Sequence, residues 1–180
     1  PAAANEPIVI RFSHVVSPDA PKGKAAAFFA QRAAELTRGR VRVEVYADSA
    51  LYSDREEMEA LQLGAVHMLA PSLAKFSVLG ANGFELFDLP YIFEDRRALR
   101  AVTEGDIGER LLESLEDRGI KGLAFWDNGF KSFSANTPIR VPSDLAGKRM
   151  RIQASRAIEE QMLALGAVPH MMSFSDVYEA

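Results

Sequence analysis

A chain of 180 residues, 48% hydrophobic and 26% charged, has the balance of a folded globular protein and the length for one ordinary domain or two incomplete lobes. Its net charge of −4 excludes the broad basic field that attracts nucleic acid, so any anion must be held by a few placed cations. The absence of cysteine removes disulfide scaffolds, thiol nucleophiles and thiolate metal sites, and no apolar stretch approaches the roughly 18 residues that cross a bilayer.

The opening Pro1-Ala2-Ala3-Ala4-Asn5 reads as the start of a mature chain whose signal peptide has been removed. Ile8, Ile10 and Phe12 then alternate with Val9, Arg11 and Ser13, a period of two that predicts a strand ending at His14. After a turn with Pro18 and Pro21, Ala25, Phe28, Phe29, Ala33 and Leu36 recur at helical spacing until Gly39. Val41 to Tyr46 is a second strand. Ser53 and Glu56 form a capping-box signature for a helix through Leu63, and Val66 to Ala70 reads as a third strand. Lys75 to Phe93 is aromatic, holds Gly80, Gly83 and Pro90, and has no clean period.

Asp106 and Glu109 offer a second capping box, for a helix ending at Gly119. Ile120 to Trp126 is an apolar run that reads as a strand covered on both faces. Beyond the Asn128-Gly129 turn, Lys131 to Ala135 and Arg149 to Gln153 read as strands, with a short helical turn between Asp144 and Gly147. Ser155 starts a helix to about Leu165, Val168 to Met171 is a last strand, and Ser173 with Asp176 caps a helix that has barely begun at Ala180. Strands and helices alternating at this spacing predict an α/β fold with a largely parallel sheet. In such folds ligands bind beyond the carboxyl ends of the strands. That rule directs attention to His14 and the loop after it, Ala70 to Lys75, Trp126 to Lys131, Arg151 to Ser155, and Met171 to Phe174.

Those segments carry cations. Lys22 and Lys24 stand where the first helix begins, Lys75 follows the third strand, and Lys131 follows the Asn128-Gly129 turn. Period two puts Arg149, Arg151 and Gln153 on one face of their strand, with Arg151 nearer the ligand end, where a planar two-pronged donor matches a carboxylate. Taken singly the lysines read as solvated surface charges. Arg151 does not, because an arginine near the middle of a sheet needs a partner, either a ligand or a protein carboxylate. Phe174 and Trp126 are each a pocket wall or a packing residue, Trp126 more often core, and His14 is a strand-end histidine facing the crevice. No phosphate loop, zinc-protease helix or serine elbow is present, and His14, His67 and His170 lie far apart without carboxylates at ligand spacing, so neither metal nor cofactor is expected.

Several segments in order carry a resemblance. They are Phe12-Ser13-His14-Val15-Val16 with Pro21-Lys22-Gly23-Lys24, Glu56 through Val66, and Leu69-Ala70-Pro71-Ser72-Leu73-Ala74-Lys75-Phe76. They continue through Phe87-Asp88-Leu89-Pro90-Tyr91-Ile92-Phe93, Trp126-Asp127-Asn128-Gly129-Phe130-Lys131, Gly147 through Gln153, and Ala164 through Tyr178. Across nearly its whole length the chain resembles the extracytoplasmic solute-binding subunits of TRAP transporters, in particular the group that binds four-carbon dicarboxylates.

The resemblance implies a hinged, two-lobed α/β binding protein of the periplasm, not an enzyme, that passes a small dicarboxylate to a membrane permease. It is expected neither to bind nucleic acid nor to insert in the membrane. It places the carboxylate-pairing arginine at Arg151 and pocket positions at Ser72, Lys75, Lys131 and Phe174, with His14 and Lys24 in matching segments near the cleft. Lys75 and Lys131 stand where some relatives with other substrates carry arginine. The implied lobes are residues 1–128 and 129–180, both incomplete, because the family continues past Ala180. A polypeptide ending at Ala180 is therefore expected to fold poorly. Succinate, malate or fumarate is the expected ligand class, and a monocarboxylate such as a 2-oxo acid or sugar acid held by the same arginine is the alternative.

Overall fold

Residues 6–178 are described by a computed structural model, and they divide into two compact units, residues 6–71 with 173–178 and residues 72–172.

In the first unit, β1 (Ile8–Ser13) pairs in parallel with β2 (Val41–Tyr46), from Ile8 opposite Val41 to Ser13 opposite Tyr46. A parallel pair needs a crossover, and α1 (Pro21–Thr37) supplies it. Pro21 at the first helical position fits because the N–H it lacks would have no partner inside the helix. The helix ends where Arg38 turns left-handed at φ 53° and the Gly39 N–H reaches back 2.8 Å to the Ala34 carbonyl. Gly23 is required rather than tolerated: a Cβ there would lie 2.4 Å from the Ser17 carbonyl oxygen. The core of this unit contains Phe12, edge-to-face with Phe29, together with Ala26, Met58, Ala60 and Val66.

The Glu56 carboxylate accepts from both the Ser53 N–H and the Ser53 hydroxyl, the backward half of the expected capping box, and α2 (Glu57–Gln62) follows. The third strand is shorter than its apolar run: only β3 (Met68–Leu69) pairs, in parallel, with Phe12 and Ser13, giving the order β2-β1-β3. His67 begins this contact, its Nδ1 accepting the Arg11 N–H at 2.9 Å while its own N–H donates to the Arg11 carbonyl. It is a structural histidine.

The second unit opens with two 3-10 helices, Leu73–Leu79 and Asn82–Asp88, held together by the stacked rings of Phe76 and Phe84. A helix that periodicity did not predict, α3 (Arg96–Thr103), is capped by Asp95, whose side chain accepts the Ala98 N–H at 2.7 Å. In α4 (Asp106–Glu113) the cap is Gly105. Asp106 is the first helical residue and not the expected cap, and a separate 3-10 turn (Glu116–Arg118) leads to Gly119.

Residues 120–126 and 131–135, both expected as strands, belong to neither sheet of the described residues. A strand needs a neighbouring backbone, and no ladder reaches them. Leu123 is 67% and Trp126 41% exposed, so the cover expected over this run is not there. The unit closes with β4 (Arg149–Ile152), α5 (Arg156–Ala164) and β5 (Val168–Met171), a parallel strand–helix–strand unit. Its core is Leu145, Met150, Ile152, Met162 and Ala167.

Candidate ligand-binding site

β4 alternates as its sequence requires. Met150 and Ile152 are buried in the core, and Arg151 points the other way, half-buried. The Arg151 Nε donates to the Met172 carbonyl at 3.0 Å, just past the end of β5, which fixes the plane of the guanidinium at the carboxyl end of this small sheet.

Three other candidates in this unit gather on the segment that follows. The Ser72 hydroxyl lies 3.3 Å from the Gln153 side-chain carbonyl. Lys75 stands on the adjoining 3-10 helix, where the Ser77 hydroxyl reaches the Ala154 carbonyl at 3.4 Å. Lys75 is only 5% exposed, so the solvated reading fails for it: an ammonium that deep is held by partners.

Lys131 approaches from a third direction. The Gly129 N–H donates to Asp127, making the expected turn at Asn128-Gly129, and Arg96 lies over the Phe130 ring. The Lys131 ammonium pairs with Asp88. The other Asp88 oxygen accepts from the Ser155 hydroxyl at 2.8 Å, and Ser155 is the cap of α5. Ser72 is thus bonded to the stretch 151–155 that begins with Arg151, Lys131 reaches it through Asp88, and Lys75 lies on the helix whose Ser77 meets Ala154.

The remaining candidates lie in the first unit, each on its own element. His14 follows β1, is 1% exposed, and neither ring nitrogen makes a hydrogen bond of good geometry, although the nearby Val16 backbone favours the charged ring. Burial, with help from Lys22, holds its pKa below the ordinary 6.5 against the opposing pull of Asp48. The ring is therefore neutral at pH 7. Lys24 is exposed on α1. Phe174 starts a 3-10 turn (Phe174–Asp176), is 46% exposed, and donates its N–H to Asp54 at 3.3 Å.

Periodicity missed Asp88, Ser155 and Gln161 as site-building residues. The available signal was a lone acid in Leu86-Phe87-Asp88-Leu89: a carboxylate among large apolar neighbours is buried only if something neutralises it. A hollow of about 510 Å3 elsewhere is lined by the single stretch 133–139 and contains none of the candidates. Among the described residues, no group of three or more His, Asp or Glu side chains is placed to hold a metal, and no helix is long and apolar enough to cross a membrane.

Two parallel strand–helix–strand units, β1-α1-β2 and β4-α5-β5, define an α/β protein. The chain belongs to the family described as bacterial extracellular solute-binding protein, family 7, whose profile matches residues 12–180. It is 63% identical, over all of its 180 residues and 54% of the relative's length, to the C4-dicarboxylate-binding periplasmic protein DctP of Rhodobacter capsulatus. A TRAP periplasmic solute-binding protein of Sulfurospirillum deleyianum, solved with succinate, superposes with a TM-score of 0.92 at 46% identity, covering 96% of this chain and 56% of that one. One of Pseudomonas aeruginosa, solved with L-malate, gives 0.93 at 44% identity, covering 97% and 60%. The α/β fold expected from the sequence is the fold of these proteins. The chain spans about half the length of the curated relatives it matches.

Proposed function

We propose that the full-length protein is the periplasmic solute-binding subunit of a TRAP-type transporter, capturing a four-carbon dicarboxylate such as succinate, malate or fumarate and delivering it to a membrane permease. It acts as a carrier rather than an enzyme, a reading supported by its family and by its 63% identity to a C4-dicarboxylate-binding protein. The observation that carries the reading is Arg151, oriented by Met172 at the end of β4, in a chain 63% identical to a C4-dicarboxylate-binding protein. Arg151 clamps one carboxylate with its planar fork. Lys131 or Lys75 receives the other, with Ser72 donating or accepting beside them. In the first unit Phe174, His14 and Lys24 are the candidates, His14 as a neutral ring. The lobe boundary at 128/129 belongs to this reading of the longer protein.

The test is a thermal-shift series on the full-length protein with succinate, L-malate, fumarate, a 2-oxo monocarboxylate and a sugar acid. Ligands that bind only the folded state raise the melting temperature by mass action. A rise confined to the four-carbon diacids is expected. A rise with monocarboxylates alone would keep Arg151 as the clamp and remove Lys75 and Lys131 from the site.

A further inference from the structure

Asp88 is a buried carboxylate with a partner on each side-chain oxygen and another on its backbone carbonyl, and the proposed carrier role gives it no task. Its side chain is 1% exposed, whereas that of Lys131, its ion-pair partner, is 54% exposed. Two segments distant in sequence, the one carrying Lys131 and the first turns of α5, meet on this residue. Lys131 takes one carboxylate oxygen and the Ser155 hydroxyl donates to the other, while Gln161 Nε2 donates to the Asp88 backbone carbonyl at 2.5 Å. Ser155 in turn accepts the Ile158 N–H and begins α5, four residues after Arg151.

A half-exposed lysine ordinarily samples many rotamers, and ordering it costs entropy when an anion binds. A buried carboxylate that captures the ammonium removes that freedom in advance. An ammonium has three donors, so two remain for a ligand after Asp88 takes one. The same carboxylate grips the cap of the helix that follows Arg151, so one residue sets where both cations stand. We infer that Asp88 is a positioning residue for the carboxylate site, fixing Lys131 and the Arg151–Ser155 segment relative to each other. This rests on the proposed reading of the second unit as a carboxylate site. Bare electrostatics pulls the opposite way, since a second negative charge near the ligand repels it. The pairing with Lys131 and the bond from Ser155 neutralise that repulsion, and orientation prevails.

The experiment is a double-mutant cycle on the full-length protein with Asp88→Asn, Lys131→Met and the pair, titrated with succinate by calorimetry and melted without ligand. Asp88→Asn keeps the shape and the Ser155 bond but releases Lys131. It should weaken succinate about tenfold in the wild-type background and less than about twofold in the Lys131→Met background. Equal losses in both backgrounds would reduce Asp88 to a general packing role, and unchanged or tighter binding would overturn the inference outright. Should Asp88→Asn not fold, Ser155→Ala removes the other arm and is expected to weaken succinate about threefold, with no change contradicting the proposal. The ligand-free melts separate the two possible failures. Coupled melting effects with no diacid binding by the wild type would sink the substrate reading, whereas diacid binding without coupling would sink the role of Asp88.

Discussion

In residues 72–172 the candidate side chains are tied down by bonds that cross long stretches of sequence. Lys131 reaches Asp88, Asp88 reaches Ser155, Ser72 reaches Gln153 and Arg151 reaches Met172. In residues 6–71 with 173–178 the candidates stand separately. His14 is buried without a good hydrogen bond, Lys24 is exposed, and the Phe174 side chain is 46% exposed. If these residues form the proposed site, the first arrangement is preorganised, the cost of ordering its cations being met in the fold before any anion arrives. On the same proposal the second leaves side chains that a ligand would still order or desolvate. The difference follows from chemistry. Buried or half-buried cations demand partners, and those partners create the network, whereas a neutral imidazole can be buried with little help.

The contrast is broken first at Asp88. Asp88→Ala leaves the buried Ser155 hydroxyl without its acceptor and frees the half-exposed Lys131 ammonium to solvent, and should cost about 2 kcal/mol of stability in chemical denaturation, well above any change at Lys24. A loss below about 1 kcal/mol would mean that the second unit is not held by this network. Ser155→Ala removes both the α5 cap and one Asp88 bond, and about 1–2 kcal/mol is expected from the same measurement.

In the first unit the sharper test is pH. Because burial lowers the pKa of folded His14 beneath 6.5, the unfolded chain holds more protons in the window between the folded value and 6.5. Its contribution is therefore full above pH 6.5 and is lost as the pH falls through that window. His14→Leu should melt within a few degrees of wild type at pH 7.5 and lose less stability than wild type between pH 7 and 5. Parallel curves for the two proteins would show that His14 is not the group responsible. Lys24→Ala, at an exposed position, should change stability by no more than about 0.5 kcal/mol.

Much of this architecture was legible because its signals are local. The alternation of Ile8 to Ser13, the helical spacing that ends at Gly39, and the Ser155 cap each act within a few residues, and β1, α1 and α5 stand where they were expected. The run from Ile120 to Trp126 was misread for an instructive reason. Apolar composition states that a segment can be covered, and it is silent on whether a neighbouring strand is there to cover it. Helix α3 was overlooked because arginines fill it, yet Asp95 three residues before Ala98 was a readable cap. The resemblance picked out Arg151, Ser72, Lys75 and Lys131; of these, Ser72 bonds to Gln153 and Lys131 reaches Ser155 through Asp88. Asp88 stayed hidden because its role depends on residues 43, 67 and 73 positions away, beyond the reach of any local pattern.

The most direct test of the central claim compares succinate with its monoamide, succinamate, in calorimetric titrations of full-length wild type and Arg151→Ala. Two cationic anchors predict that wild type prefers succinate by about tenfold or more, and that Arg151→Ala loses at least about a hundredfold in succinate affinity. Equal affinity for the two ligands, or near-normal succinate binding by Arg151→Ala, would contradict a dicarboxylate site built on that arginine.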